Sequence, residues 1–244
     1  MSLAGRGVLV TRPREQALGL AALIEAAGGR AIVFPAIEIV DLPPPAALAR
    51  LQEFDLAVFI SPTAAARALR QVNAWPQGLR AAAVGAGTRR ELEARGLDGV
   101  AAPAAAADSE ALLALPQMQS VSGQRVVIFR GEGGRSLLGD TLRARGARVE
   151  YAECYRRERP RADAAALLAA WHGVHAVTVS SAEGLDNLFA LFGEAGAARL
   201  RQTPLFVGHE RVAAGARSRG VREALVAGPA DAEMLERLVA YFSR

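Results

Sequence analysis

The hydrophobic positions of the chain form short uninterrupted runs, separated by longer segments in which apolar residues recur every three or four positions. Residues 8–10, 56–60 and 126–129 are runs of this kind, and residues 17–24 have the helical spacing. Apolar runs without alternation are typical of strands that are buried on both faces of a parallel sheet. The pattern therefore predicts repeated βαβ units and a doubly wound α/β fold.

The chain also repeats itself at an offset of about 120 residues, which indicates an internal duplication. The aligned positions, in chain order, are Val8 with Val126, Ser61 with Ser180, Gly85 with Gly208 and Thr88 with Arg211. Because the order is kept, we predict two similar lobes, each built on a Rossmann-like parallel sheet.

Two strand-like stretches followed by proline interrupt the repeated pattern, at residues 36–42 and 148–159. We predict that they pair as a two-stranded antiparallel ladder that joins the lobes. Lobe one then combines residues 1–35 with residues 160–244, and lobe two comprises residues 43–147.

Ligands of open parallel sheets bind beyond the carboxyl ends of the strands, where the next helix begins. Small and hydroxyl residues at those points leave backbone N–H groups open to an anion, and the helix dipole favours negative charge there. The residues that we predict to bind a ligand are Thr11, Arg12, Ser61, Pro62, Gly85, Thr88, Arg130, Gly131, Ser180, Ser181, Gly208 and His209. An alternative remains open, in which the hydroxyl residues among them are only N-caps.

Tyr155 lies on the second ladder stretch and is the candidate proton donor, because a phenol hydroxyl is protonated at neutral pH and can act as a general acid. Tyr151 stands four residues earlier, which places both rings on the same side of a regular strand. The interpretation that both are packing aromatics therefore stays open.

Other chemistries fit the sequence poorly. The segment 85–90 begins like a dinucleotide fingerprint, but an arginine occupies the third glycine position. No Gly-Lys-Ser/Thr follows the glycines near Gly131, so a P-loop is not expected. His172 and His175 straddle a predicted turn, which disfavours a shared metal ion. Cys154 is predicted to be a small buried apolar residue.

The charge balance of 29 basic against 25 acidic residues favours acidic ligands without requiring nucleic acid. The basic residues are scattered and only 5% of the chain is aromatic, so we expect no nucleic-acid partner. No apolar run is long enough to span a membrane. The lone cysteine and the absence of a signal-peptide pattern at the start predict a cytoplasmic protein.

Several motifs together carry a family resemblance that covers nearly the whole chain. They are Val8–Pro13, Phe54–Pro62, Ala83–Thr88, Phe129–Arg135, Glu153–Arg157 and Val179–Leu185. In their order and spacing the chain resembles the uroporphyrinogen-III synthase family. The resemblance implies two lobes joined by a two-stranded ladder, an enzyme of the lyase class, no cofactor and a monomer. From the histidine spacing, no metal is expected either.

The substrate that this resemblance implies is hydroxymethylbilane, a linear tetrapyrrole with eight carboxylates. In the family reaction, loss of its terminal hydroxyl as water gives an azafulvene, which attacks the last ring, forms a spiro intermediate and rearranges so that this ring is inverted. By resemblance, Tyr155 assists departure of the hydroxyl, while Ser61 and Thr88 line the cleft between the lobes. Transient contact with the enzyme that supplies hydroxymethylbilane is a further expectation.

Two rival interpretations remain at this level. A non-catalytic bilobal α/β protein that binds or senses a small anion would share the fold and would not need Tyr155. A nucleotide-dependent transferase on a Rossmann-like sheet would bind nucleotide tightly.

Overall fold

The computed structural model describes residues 2–104 and 108–243. By its backbone contacts the chain divides into two compact units. Unit 1 comprises Met1–Glu38 with Glu158–Arg244, and unit 2 comprises Ile39–Arg157. Each unit contains one five-stranded sheet flanked by helices, so the predicted α/β class with two similar sheets is confirmed.

In chain order the strands are β1 (Gly7–Val10), β2 (Arg30–Val33), β3 (Glu38–Asp41), β4 (Leu56–Phe59), β5 (Arg80–Ala83), β6 (Arg125–Gly131), β7 (Arg148–Glu158), β8 (Ala176–Val179), β9 (Leu205–Val207) and β10 (Ala224–Val226). The α-helices are α1 (Arg14–Ala26), α2 (Pro62–Leu69), α3 (Ala86–Glu93), α4 (Ser109–Leu113), α5 (Pro116–Gln119), α6 (Leu137–Ala144), α7 (Ala165–Ala169), α8 (Ala182–Gln202), α9 (Glu210–Ser218) and α10 (Asp231–Phe242).

The sheet of unit 1, called sheet A, has the strand order β10-β9-β8-β1-β2 and is parallel throughout. Its central strands β1 and β8 are buried along their whole length. Successive residues of β1 enter different hydrophobic clusters, since Leu9 packs on one face of the sheet and Val8 and Val10 on the other. Both faces are therefore covered, as the unbroken apolar runs predict.

The sheet of unit 2, called sheet B, has the order β3-β7-β6-β4-β5. The strands from β7 to β5 are parallel, and Ala101 adds an isolated parallel bridge beside β5 at Ala82. Phe59 and Phe129 stack at 4.8 Å between ring centroids on one face of this sheet. The other face has its own hydrophobic cluster.

The two sheets have the same topology, which confirms the internal duplication. Ala101 takes the edge position of sheet B that β10 takes in sheet A. The other equivalent pairs are β4 with β8, β5 with β9, β6 with β1 and β7 with β2. The chain enters the repeated part of the two units at different points. In unit 2 the edge strand β3 comes first and β4 is the first strand with a counterpart, whereas unit 1 begins with β1, the counterpart of β6.

The ladder stretches of the sequence prediction lie largely in sheet B. The first part of β7 pairs in parallel with β6, from Arg148 opposite Arg125 onward. Beyond it, the N–H of Leu42 donates to the carbonyl oxygen of Cys154 at 3.1 Å, where β3 lies beside β7. The lobe and linker boundaries drawn from the sequence stay a prediction.

Glycines end helices where the sequence predicts. Gly28 follows α1 with φ 75°, and Gly146 follows α6 with φ 88°, a conformation that a residue with a Cβ atom rarely adopts. Within the described ranges, no helix has the length and apolarity needed to cross a membrane.

Candidate active site

The turn between β4 and α2 presents Ser61 and Pro62 at the carboxyl end of sheet B. Ser61 is extended, with φ −160°, and its Oγ accepts the backbone N–H of Ala64 at 3.0 Å. Pro62 occupies the first helical position, where its missing N–H costs nothing. Ser61 is therefore the N-cap of α2, and this role leaves its hydroxyl proton free to serve a second partner.

Tyr155 reaches the same place through an irregularity in β7. The register with β6 shifts between Arg130 and Gly131, so that Gly131 stands opposite Tyr155 while Arg130 stands opposite Glu153. This bulge turns the Tyr155 ring onto the face that holds Phe129, where it is 3% exposed. A Cβ on Gly131 would lie 2.8 Å from that ring, so glycine leaves the space that the phenol occupies.

Tyr151 lies on the opposite face of sheet B from Tyr155. It packs partly buried against the cluster of Ile128 and Leu138. The sequence prediction that both tyrosines share one side of the strand is wrong, because the bulge between them inverts the alternation. Tyr151 instead lies beneath the guanidinium group of Arg130, at 4.6 Å from ring centroid to Cζ.

The Tyr155 hydroxyl and the Ser61 Oγ are 3.1 Å apart, and either group can be the donor. The pair joins the end of β7 to the first turn of α2. It combines a proton-donating phenol with a hydroxyl that can stabilise the oxygen left behind.

The start of α3 lies next to this pair. Gly85 is the N-cap of α3, and no side chain caps the helix. Thr88, in the first turn, is 3% exposed, and its hydroxyl makes no hydrogen bond to another described residue. A Cβ on Gly87 would lie 3.8 Å from Pro62 Cγ, so the starts of α2 and α3 are adjacent. This open helix start can accept an anion.

Arg130 is turned away from the Tyr155 face. It is 5% exposed, its Nε donates to the Gly131 carbonyl at 3.1 Å, and its Nη2 donates to the carbonyl of Gly133. The Glu153 carboxylate lies 3.8 Å from its Nε. Part of the Arg130 guanidinium is therefore used to hold the loop after β6.

In unit 1 the predicted residues Thr11 and Arg12 make contacts inside the unit. The Thr11 hydroxyl donates to the Thr178 carbonyl at 2.7 Å and ties β1 to β8. Arg12 forms an ion pair with Asp231 and donates to the Pro229 carbonyl at 3.0 Å. Their role in substrate binding stays a prediction. A substrate that binds Thr11 or Arg12 must compete with these partners or use the remaining donor and acceptor positions.

Ser181 and His209 are the N-caps of α8 and α9. The Ser181 Oγ accepts the Gly184 N–H at 3.0 Å, whereas no side chain caps α9. Ser180 precedes the cap, and a Cβ on Gly208 would lie 3.8 Å from its carbonyl oxygen. The structure thus brings Ser180, Ser181, Gly208 and His209 together at the carboxyl end of sheet A.

The strand equivalence corrects the sequence alignment of the repeat. Ser61 and Ser181 are the N-caps that follow β4 and β8, so the pairing of Ser61 with Ser180 is wrong by one position. Thr88 is the third residue of α3, and its counterpart in α9 is Val212 rather than Arg211. Alignment errors of one position arise easily here, because the residues within each short apolar strand are alike and the strands can be aligned in more than one way.

His175 and Cys154, which lie outside these turns, have structural positions. The Nδ1 of His175 accepts the Gly7 N–H at 3.0 Å. Cys154 is 1% exposed, as predicted, and burial raises the pKa of its thiol to about 12. Among the described residues, His, Cys, Asp and Glu form no group that could hold a metal ion.

The comparison with protein families decides the assignment. A family model described as uroporphyrinogen-III synthase HemD matches residues 19–236. The chain belongs to the uroporphyrinogen-III synthase family. The family resemblance predicted from the motifs is thereby confirmed.

Bacterial proteins named uroporphyrinogen-III synthase resemble the chain over nearly their whole length. The protein of Salmonella typhimurium is 38% identical, with 94% of this chain and 98% of that protein covered. The protein of Escherichia coli is 36% identical, with the same two shares. These matches give no support to the alternative of a non-catalytic anion-binding or sensor domain.

Solved uroporphyrinogen-III synthase structures share the fold. The protein from Helicobacter pylori has a TM-score of 0.63 at 14% identity, covering 97% of this chain and 99% of that one. A mutant protein from Thermus thermophilus has a TM-score of 0.58 at 19% identity, with the same coverage. At these identities the likeness supports the α/β architecture alone.

Proposed function

We propose that the chain is a cyclising lyase that converts hydroxymethylbilane into uroporphyrinogen III, with loss of water and inversion of the last pyrrole ring. Membership of the uroporphyrinogen-III synthase family supports the reaction. Within the structure, the observation that carries the proposal is the 3.1 Å contact between the Tyr155 hydroxyl and Ser61 Oγ at the carboxyl end of sheet B.

Tyr155 is the proposed acid. Its proton passes to the terminal hydroxyl of the substrate, which leaves as water and yields the electrophilic azafulvene in its cationic, N-protonated form. Negative charge then develops on the Tyr155 oxygen. Ser61 can stabilise that charge by donating its own hydroxyl proton, since its oxygen is already held by the Ala64 N–H. The proton that the substrate releases when the last ring regains its aromaticity restores the phenol.

The substrate carboxylates are the proposed ligands of the helix starts. The first turn of α3 lacks a side-chain cap, so its N–H groups and the positive end of the helix dipole favour a carboxylate there. The Thr88 hydroxyl adds one more donor in the same turn. The start of α9 after His209 offers the corresponding amides in unit 1.

The main catalytic task is conformational. Hydroxymethylbilane also cyclises unaided, to the isomer in which the last ring is not inverted. An enzyme that fixes several carboxylates holds the chain so that attack on the substituted carbon of the last ring outruns simple closure. Tyr155 then needs to supply only one proton.

The decisive experiment is to incubate the purified protein with freshly made hydroxymethylbilane, oxidise the products and separate them by isomer. We expect mainly isomer III from the wild-type protein and mainly isomer I from a control without protein. Isomer I alone in both samples, with a folded protein, would contradict the proposal.

The surroundings of the reaction are part of the proposal. We place it in the cytoplasm, as the lone buried Cys154 favours a reducing compartment. The protein acts as a monomer, without a cofactor, and receives its substrate through transient contact with the enzyme that makes it. Sedimentation of the protein alone and together with that enzyme tests the monomeric state and the transient contact.

A further inference from the structure

A cavity with a volume of about 160 Å³ lies at the carboxyl end of sheet B, on the face opposite Tyr155. Ile60 and Val84 each follow a strand directly, and Arg130 is the second-last residue of strand β6. The remaining lining residues are Asp108, Ser109, Ile128, Arg135, Leu138 and Tyr151. The cavity thus shares its edge of the sheet with the candidate active site, which uses the neighbouring residues Ser61 and Gly85.

The residues that line the cavity include two cations, Arg130 and Arg135, and one anion, Asp108. A carboxylate also stands beside each arginine, since Glu153 lies 3.8 Å from the Arg130 Nε and Glu110 lies near Arg135. Asp108 is the N-cap of α4, and its Oδ1 accepts a hydrogen bond from the Ala111 N–H at 2.7 Å. Arg135 is 73% exposed, and its nearest acidic partner, Glu110, is 3.8 Å away. Arg135 can therefore turn toward a ligand without giving up a strong ion pair.

Arg130 supplies a buried cation with part of its hydrogen-bonding capacity unused. Its Nε and Nη2 hold the loop after β6, but its Nη1 makes no hydrogen bond to the described residues. In unit 1 the equivalent Arg12 differs, because it uses Nη1 for Asp231 and Nη2 for the Pro229 carbonyl. A buried guanidinium with a free donor is suited to a carboxylate.

We propose that this cavity is a subsite for one carboxylate arm of the tetrapyrrole. The inference rests on the proposed function, and it adds a part of the site on the face that Tyr155 does not occupy. A cavity of about 160 Å³ is below the usual size of a pocket for a whole ligand, so it admits an arm and not the tetrapyrrole. The methylene groups of the arm contact Ile60 and Leu138, and its carboxylate lies between Arg130 and Arg135.

The test compares Arg135→Gln with Arg148→Gln, which removes an exposed arginine at the amino end of β7. For hydroxymethylbilane we expect Arg135→Gln to raise KM by about threefold to tenfold with kcat within twofold, and Arg148→Gln to change neither. Arg130→Lys, which keeps the charge but loses the planar fork, should raise KM in the same direction. Melting temperatures of all three variants report any loss of folding.

A set of bilanes that each lack one carboxyl group identifies the arm. We expect one analogue to bind the wild-type protein more weakly than the parent, and to bind wild-type and Arg135→Gln equally. If wild-type protein makes isomer III while Arg135→Gln keeps the wild-type KM for the parent and every analogue, the subsite is refuted and the function stands. If the wild-type protein makes no isomer III, the proposed function itself fails.

Discussion

Ser61 Oγ contacts two groups at once, the Ala64 N–H at 3.0 Å and the Tyr155 hydroxyl at 3.1 Å. The first contact fixes the position of the serine oxygen, because a helix N-cap has a defined geometry. The second contact, a hydrogen bond, orients the Tyr155 hydroxyl relative to that fixed oxygen. One residue thereby couples the start of α2 to the proposed acid.

Replacing Tyr155 by Phe removes the proposed proton donor and keeps the buried ring. We expect kcat to fall about tenfold or more, with a small change in melting temperature, since general acids contribute large factors to rates. Initial rates of isomer III formation, together with thermal melts, measure both effects. A wild-type kcat in this variant would refute the acid role.

Ser61→Ala and Ser181→Ala form a matched pair, because both remove an N-cap of an equivalent helix. Each should lower the free energy of unfolding by about 1 kcal/mol. Only Ser61→Ala also removes the partner of Tyr155, so kcat should fall with this variant, whereas any effect of Ser181→Ala should appear in KM. Equal kcat values for the two variants would show that the contact with Tyr155 has no catalytic role.

Gly131→Ala tests the packing of the tyrosine. The added Cβ would lie 2.8 Å from the Tyr155 ring, which is too close, so the ring must move. We expect a loss of about 1–3 kcal/mol in the free energy of unfolding and a lower kcat. Gly215→Ala in α9 is the control, because its nearest neighbours would be 3.5 Å away in ordinary contact. If Gly131→Ala behaves like the control, the ring is not confined as described.

Thr88→Val converts the α3 position into the residue that stands at Val212 in α9. We expect KM to rise about threefold to tenfold while kcat and the melting temperature change little, because the hydroxyl has no partner among the described residues. An unchanged KM would mean that this hydroxyl does not contact the substrate.

Cys154 should be unreactive in the folded protein. Burial raises the pKa of its thiol from 9.0 to about 12, so at pH 8 a small fraction of the thiol is ionised in the unfolded chain and almost none in the folded protein. Above pH 9 the unfolded chain ionises first, which makes unfolding progressively more favourable up to about pH 12. Iodoacetamide labelling at pH 8, followed by mass spectrometry, should be slow in buffer and fast in denaturant. Rapid labelling of the native protein would contradict the burial.

The sequence was sufficient for the large-scale arrangement. Unbroken apolar runs such as residues 8–10 and 126–129 identify strands of covered parallel sheets, and their repetition predicts two similar sheets. The ends of those runs also locate the turns that hold Ser61 and Gly85, because a parallel strand must be followed by a helix that returns along the sheet.

The remaining features depend on contacts that a linear pattern does not contain. The bulge in β7 places Tyr151 and Tyr155 on opposite faces of sheet B. At the bulge two residues of β7 stand against one residue of β6, and an apolar run looks the same with or without this extra residue. The pairing of Arg12 with Asp231 joins residues from opposite ends of the chain. The helical spacing around Glu210 does not reveal that Val212, and not Arg211, faces inward like Thr88.

Sheet A takes its strands from both ends of the polypeptide, since β1 pairs with β8 whereas sheet B is contiguous in the sequence. On a ribosome, Ile39–Arg157 emerges in full before β8 is made, so its sheet can assemble while Met1–Glu38 still lacks its central partner. The amino-terminal segment must therefore wait, with its apolar β1 lacking that partner, until Ala176–Val179 has been translated.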